Sequence, residues 1–208
     1  MARLAVAREA AEPSSKLQRQ KYVRMLDAAT DLGSQYEFDQ VQMLDVAKSA
    51  GVAIGTLYRY FPSKHHLFVG VLTRQIDAMG DRLAQVGRRC ESPLEATVFV
   101  LDHALHQMLR RPRLSISMIT AAYTARAVGT VPVDRIDDSF RDVLIAATRL
   151  DPPTDLDLTL LRLVVQQWFA IVQSCLYGAL DVEQAEADTA LACQLLLARL
   201  STVRGLTH

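Results

Sequence analysis

Gly55, Thr56, Tyr58, Arg59 and Tyr60 stand in one short run, and their side chains suit the surface of a nucleic acid. An arginine fork can pair with a guanine edge. Tyrosine and threonine hydroxyls can reach phosphate oxygens, and their carbons can pack on sugars or thymine methyls. A glycine among them lets the backbone approach closely. No comparable set points to catalysis. The chain has no Gly-x-Ser-x-Gly, Walker or dinucleotide loop. His103 and His106, three apart with Asp102 beside them, could supply part of a metal site, but no matching Glu-x-x-His stands elsewhere. The expectation is therefore a non-enzyme with no catalytic residue, no metal and no cofactor.

Two short helices must position that run. The first is expected from about Met43 to Ala50, with Val46, Ala47 and Ala50 on one apolar face. Gly51 ends it, since glycine takes positive φ without a Cβ penalty. The second is expected over roughly Ala53 to Tyr60 and stops at Pro62. Ile54, Leu57 and the inner side of Phe61 would face the core. Gly55, Thr56, Tyr58, Arg59 and Tyr60 would face outward. A helix, a glycine turn and a second helix form a helix-turn-helix, whose second helix lies in the DNA major groove.

Val46-Ala47, Ala50-Gly51-Val52 and the run from Gly55-Thr56-Leu57-Tyr58 through Tyr60-Phe61 to Ser63-Lys64 resemble the TetR family of bacterial transcriptional regulators. The likeness covers about Lys16 to Leu72. Along the chain no strand pattern appears, and the apolar periodicity predicts an all-α fold of about nine helices. An N-terminal three-helix DNA-binding domain would precede a larger ligand-binding and dimerisation domain. The likeness implies that Lys64 contacts phosphate and that Gln42 and Met43 belong to the DNA-reading set. Gln42 stands where relatives carry a capping threonine, and Ala53 where many carry serine. A lost cap costs about 1 kcal/mol. His65 and His66 stand where relatives often carry acids; one or both are expected to gain charge in mild acid and strengthen DNA binding, the alternative being exposed neutral histidines.

The rest of the chain is read from composition and pattern. Half of the residues are hydrophobic, enough for a real core, and the formal net charge is zero. Basic residues gather early: Arg3, Arg8, Lys16, Arg19, Lys21 and Arg24, against Glu9 and Glu12. Residues 1–15 read as a flexible arm, residues 16–62 as the DNA-binding domain and residues 63–208 as the larger domain. Cys90, Cys175 and Cys193 have no metal or redox spacing and read as reduced thiols of a cytoplasmic protein, with a disulfide between two of them as the minor alternative. No signal peptide is apparent, and Arg162, Gln166 and Gln167 interrupt the most apolar stretch, so no membrane partner is expected.

Helices are expected over Lys16 to Leu32 (closed by Gly33), Ser63 to Arg88, Pro93 to Arg110 and Pro112 to Val128. Three more follow: Val133 to Leu150, Thr154 to Ala179 and Glu183 to Val203. Ser92, Pro93 and Glu95 form a capping-box start. The helix after Thr154 is apolar over most of its circumference, so one side can face the core and another a partner chain. Leu161, Val165 and Leu176, with Leu191, Leu195, Leu196 and Arg199 of the last helix, are assigned to a four-helix homodimer interface. A dimer would place two recognition helices roughly 34–36 Å apart, suiting a palindromic operator on double-stranded DNA.

The effector set is expected at Leu101, Leu105 and Met108, then Met118, Ala122 and Tyr123. Phe140 and Leu144 continue it, with Trp168, Phe169 and Val172. Large residues alternate with alanines, and methionine adapts to irregular shapes, which suits either a filled core or an apolar cavity; the family resemblance implies the cavity, for a bulky hydrophobic ligand. Within the family, Val41-Gln42-Met43, Val52-Ala53 and the Gly55–Lys64 run are similar to the branch that controls sterol catabolism. That likeness implies a steroid or long-chain acyl-CoA effector and control of lipid catabolism. Arg110, Arg111 and Arg113 would either meet CoA phosphates or form a solvated basic loop. A regulator of efflux answering to hydrophobic drugs is the alternative. A helical enzyme or an architectural DNA binder is the alternative of another class.

Overall fold

The computed structural model describes residues 10–87, 89–129, 134–150 and 152–202. Among the described residues there are nine helices and no strand. They are α1 (Lys16–Gln35), α2 (Met43–Ser49), α3 (Ile54–Tyr60), α4 (Lys64–Gly87), α5 (Pro93–Leu109), α6 (Pro112–Val128), α7 (Asp134–Thr148), α8 (Asp155–Leu176) and α9 (Val182–Thr202). The all-helical class and the short pair α2–α3 agree with the sequence reading. The arm residues Arg3 and Arg8, and the expected helix limits Arg88, Val133 and Val203, lie outside the described residues.

Local chemistry sets the helix ends. Ser15 Oγ accepts from Gln18 N–H and opens α1. Ser92 Oγ accepts from Glu95 N–H at 3.1 Å, as expected. The return limb differs, because Glu95 Oε2 takes the N–H of Glu91 at 2.6 Å. At α8 the box is complete: Thr154 Oγ1 accepts from Asp157 N–H, and the Asp157 carboxylate accepts from Thr154 N–H. Gly51 ends the α2 turn with φ +63 and Gly129 ends α6 with φ +64, the left-handed region where glycine carries no Cβ strain.

Gly33 does not close α1, contrary to expectation. It lies inside the helix, where an added Cβ would stand 2.6 Å from Phe68 Cε1 and 3.0 Å from Leu114 Cδ1. Its value is close approach: α1 meets α4 and α6 there with no room for a side chain.

The chain divides into two compact units. The first runs to Arg74 and takes in Arg111–Arg135, so it holds α1, α2, α3, the first half of α4, and α6. The second holds the rest of α4 with α5, α7, α8 and α9. The boundary expected at 62/63 thus falls inside the first unit. The reason lies in the start of α4, where Leu67, Phe68 and Val71 are fully buried. The Phe68 ring packs edge-on against Phe38, and an Arg74–Asp27 ion pair at 2.8 Å ties α4 to α1.

In the first unit, Met25, Leu26 and Ala29 of α1 are buried, as are Val46 and Ala47 of α2, Leu57 of α3, and Leu114 and Met118 of α6. In the second, the core is built from Leu101, Leu105, Leu144, Leu161, Val164, Val172 and Leu197. By length and composition alone α8 could cross a membrane. Its Leu161, Val164, Trp168, Ile171 and Val172 nevertheless form a buried stripe within the second unit.

Candidate nucleic-acid interface

α3 is anchored by Leu57, which is fully buried, and by the backbone turn in which Val52 N–H reaches Ala47 O at 3.0 Å. Seen from that anchor, Gly55, Tyr58 and Arg59 are exposed and Thr56 is half-buried. Tyr58 is 47 % exposed, a large cost in uncovered apolar ring unless something packs on it. At Gly55 an added Cβ would meet no protein atom within 4 Å. The protein's own packing does not require glycine there.

Two residues assigned to the DNA-reading set point inward. Tyr60 is 3 % exposed, with its ring edge-on to Tyr22 at 5.8 Å. It stands three residues after Leu57 and so shares the buried face. The Arg59 guanidinium lies 5.8 Å above the Tyr60 ring, so Tyr60 supports the arginine from beneath. Met43 is also buried, one turn before Val46 and Ala47 on the inner face of α2. Gln42 is exposed at the start of α2 and makes no side-chain cap, and Ala53 makes none for α3.

Lys64 departs furthest from its expected role. Its ammonium donates to three carbonyls: Phe38 O at 2.6 Å, Val41 O at 3.1 Å and Asp39 O at 3.3 Å. It also lies 4.6 Å from the Phe38 ring centroid. Lysine has three donors, and all three are committed to the loop before α2. Burial lowers the Lys64 pKa, and the Asp39 carboxylate partly opposes it. In the protein alone Lys64 therefore clamps the α1–α2 connection.

The two histidines beside it are half-buried. The His65 ring packs on Phe38 at 5.2 Å, and His66 Nδ1 shares a 2.8 Å hydrogen bond with Ser63 Oγ. His66 thus takes the place of the glutamate in a capping box at the start of α4. On α1, Lys16, Arg19 and Arg24 line one open groove together with Leu17 and Val23. Just before α1, Ala11 N–H donates to Arg59 O at 3.0 Å, fastening the chain to the end of α3.

The expected effector residues divide between the units. Leu101, Leu105, Phe140, Leu144, Trp168 and Val172 are buried in the second, with Met108 and Phe169 half-buried. Met118 is buried and Ala122 half-buried on α6 in the first. Tyr123 is 49 % exposed and does not belong to an interior set: Ala121 and Ala125 fix the buried face of α6, and Tyr123 falls on the other side. Arg113 donates to Gln35 O at 3.0 Å, whereas Arg110 and Arg111 are exposed.

Of the expected dimer residues, Leu161 is fully buried within its own chain and is a core residue. Val165, Leu176 and Leu196 are half-buried. Leu191 and Leu195 are 53 % and 72 % exposed. The side chain of Arg199 lies outside the described residues. Leu156, Leu163 and Ala170 on α8 add to an apolar face that the single chain leaves uncovered.

His103 and His106 do not converge on a metal. His106 Nε2 lies 3.1 Å from Glu186 Oε1 on α9, while His103 bonds Gln107 on its own helix. No group of three metal-ligating side chains occurs among the described residues. The sequence reading missed Glu186, which is remote along the chain and carries no local signal. Asp102 Oδ1 is buried without a hydrogen-bond partner. Burial, then the Glu186 carboxylate, push the Asp102 carboxyl up to about 6, against the pull of His106.

The native chain therefore holds a proton that the unfolded chain has lost between about pH 4 and 6. Stability falls as pH rises through that window and stays lower above it. Asp102→Asn is expected to flatten this slope and to stabilise the protein at pH 7 by about 1 kcal/mol, after allowance for solvent screening. Urea unfolding at pH 4.5 and 7 checks it. A variant that keeps the wild-type slope would refute the assignment.

Comparison with known proteins bears on these features. Residues 25–71 match the profile described as "Bacterial regulatory proteins, tetR family", and residues 90–196 match "Tetracyclin repressor-like, C-terminal domain". The HTH-type transcriptional repressor KstR of Rhodococcus jostii (strain RHA1) is 34% identical over 88% of this chain and 86% of its own. A crystal structure of a TetR transcriptional regulator from Rhodococcus sp. RHA1 is 51% identical, with TM-score 0.82, covering 88% of this chain and 98% of that one. Thermus thermophilus FadR, solved in complex with lauroyl-CoA, shares the fold at 17% identity and TM-score 0.65, over 85% of this chain and 93% of its own.

Proposed function

The chain belongs to the TetR family of transcriptional regulators, and from that premise we propose that it is a repressor that binds a palindromic operator as a homodimer and is released by a bulky hydrophobic acyl-CoA. The observation that carries the DNA half is the exposed α3 face: Tyr58 and Arg59 project from a helix whose Gly55 leaves open space. Arg59, supported by the Tyr60 ring, reads a base edge. Tyr58, Gln42 and Thr56 hold the backbone, with Lys16, Arg19 and Arg24 of α1 contributing charge.

The two-helix apolar face of α8 and α9 supports the dimer. The effector half draws support from the aliphatic and aromatic interior of the second unit and from the likeness to sterol-catabolism regulators. The protein then acts in the cytoplasm on genes of lipid or sterol breakdown. Release requires the effector to favour the DNA-free state; moving a population from mostly bound to mostly free takes up to about 5.5 kcal/mol of differential affinity.

The test is binding to the DNA upstream of its own gene at fixed salt, with and without a long-chain or steroid acyl-CoA. Specific binding that the thioester abolishes is the expected result. Arg59→Ala is expected to cost about 1–3 kcal/mol of operator affinity and to relax preference at one base pair. Tyr58→Ala is expected to weaken all sequences alike. Wild-type binding by both variants would remove α3 as the reading helix.

A further inference from the structure

The second unit buries an indole donor that no described residue satisfies. Trp168, the chain's single tryptophan, is 3 % exposed. Its ring stacks on Phe140 at 5.4 Å and 18°, and Phe169 meets it edge-on at 5.2 Å. The ring is thus held on two sides by aromatic carbon. Among the described residues its indole Nε1–H has no acceptor within hydrogen-bond distance. Buried indoles ordinarily find a partner, and one left without costs free energy. Thr148 and Thr189, buried hydroxyls in the same unit, both bond carbonyls of their own helices. Asp102 Oδ1 is the unit's other buried polar atom without a partner among the described residues, but it belongs to a carboxyl beside Glu186 and His106 and not to an apolar surround.

We infer that the Trp168 indole N–H is the specificity-determining donor for the effector, and that it takes the thioester carbonyl of the acyl-CoA. This rests on the effector reading above and names the chemistry of that site. The donor is neutral and its surroundings are apolar: Leu161, Val164, Ile171 and Val172 lie buried on the same helix. A phosphate or carboxylate would lose its hydration there for one neutral hydrogen bond. A carbonyl loses little and satisfies the indole. Fatty and steroid acyl-CoAs share that carbonyl, so the contact selects the thioester while the surrounding rings and aliphatic side chains accept the chain or ring system attached to it. A site built to bond one polar atom discriminates strongly against ligands that lack it.

The experiment compares stearoyl-CoA with S-octadecyl-CoA, the thioether in which the carbonyl is a methylene, by calorimetry. The wild-type protein is expected to bind the thioester about tenfold more tightly, one hydrogen bond's worth of discrimination. In Trp168→Phe, which keeps an aromatic ring and removes the donor, the two ligands are expected to bind within about twofold of one another. The loss should fall on the thioester, with the thioether unchanged. A second measurement needs no variant. With the indole nitrogen labelled, the single indole N–H resonance should move downfield with stearoyl-CoA and not with the thioether. Equal binding of both ligands by wild type, or a preference that survives in Trp168→Phe, overturns the donor assignment and leaves the acyl-CoA reading standing. Failure of wild type to bind either compound overturns the acyl-CoA reading and this inference together.

Discussion

Replacing Leu195 with aspartate is expected to convert the protein to monomers and to lower operator affinity by about a hundredfold or more. Leu195 is 72 % exposed in the single chain, so the substitution disturbs no interior packing. It would place a carboxylate in the middle of the proposed α8–α9 contact, where Leu191 and Leu163 lie on the same uncovered faces. A charge buried there without a partner costs several kcal/mol across the twofold, because each site is counted twice. DNA affinity then falls because two linked recognition helices bind with roughly 10²–10⁴ advantage over one. Sedimentation of the variant gives the state directly. A dimer that persists in Leu195→Asp would move the interface to another face.

Lys64→Met should weaken operator binding without altering its salt dependence. The substitution keeps the length of the stem and removes three charge-assisted bonds to the 38–41 loop. The first unit is expected to lose about 2 kcal/mol. Its melting temperature should fall by about 4–8 °C if the unit's transition resembles that of a domain this large. The loop sets where α2 begins, so DNA affinity falls through misplacement of α2 and α3. A direct phosphate contact has a different signature: its loss reduces the slope of log affinity against log salt by about 0.9. A variant with wild-type stability and a slope lower by that amount would restore the phosphate role. Lys64→Arg should rescue poorly, since a planar fork does not meet three converging carbonyls.

These two residues mark the difference between what a sequence states and what it leaves open. The α2–turn–α3 unit was legible because its signals are local: Gly51 for the left-handed turn, Leu57 for the inner face, Pro62 for the stop. Tyr60 and Met43 were also legible in principle. Tyr60 stands three residues from Leu57, and Met43 stands three and four from Val46 and Ala47, the spacing of a shared face. Their residue types suggested DNA, and the spacing argued for burial. Leu161 repeats the case, three and seven residues before Val164 and Trp168. Gly33, Lys64 and Glu186 were not legible. The role of Gly33 depends on Phe68 and Leu114, and that of Lys64 on carbonyls 23 to 26 residues earlier. Asp102 meets Glu186 only because α5 packs against α9. Contacts of that kind are set by tertiary packing, and no local pattern announces them.

The division of α4 has a consequence for anyone wishing to rewire this protein as a biosensor. Joining a foreign input module immediately after Pro62 would cut away the Lys64 clamp and the Arg74–Asp27 pair. It would also remove α6, whose Leu114 fills the notch left by Gly33. The transplantable DNA-reading part is discontinuous: residues up to 74 together with 111–135. A working chimera therefore needs three splice points instead of one, with the first inside a continuous helix where the heptad phase of donor and recipient must agree.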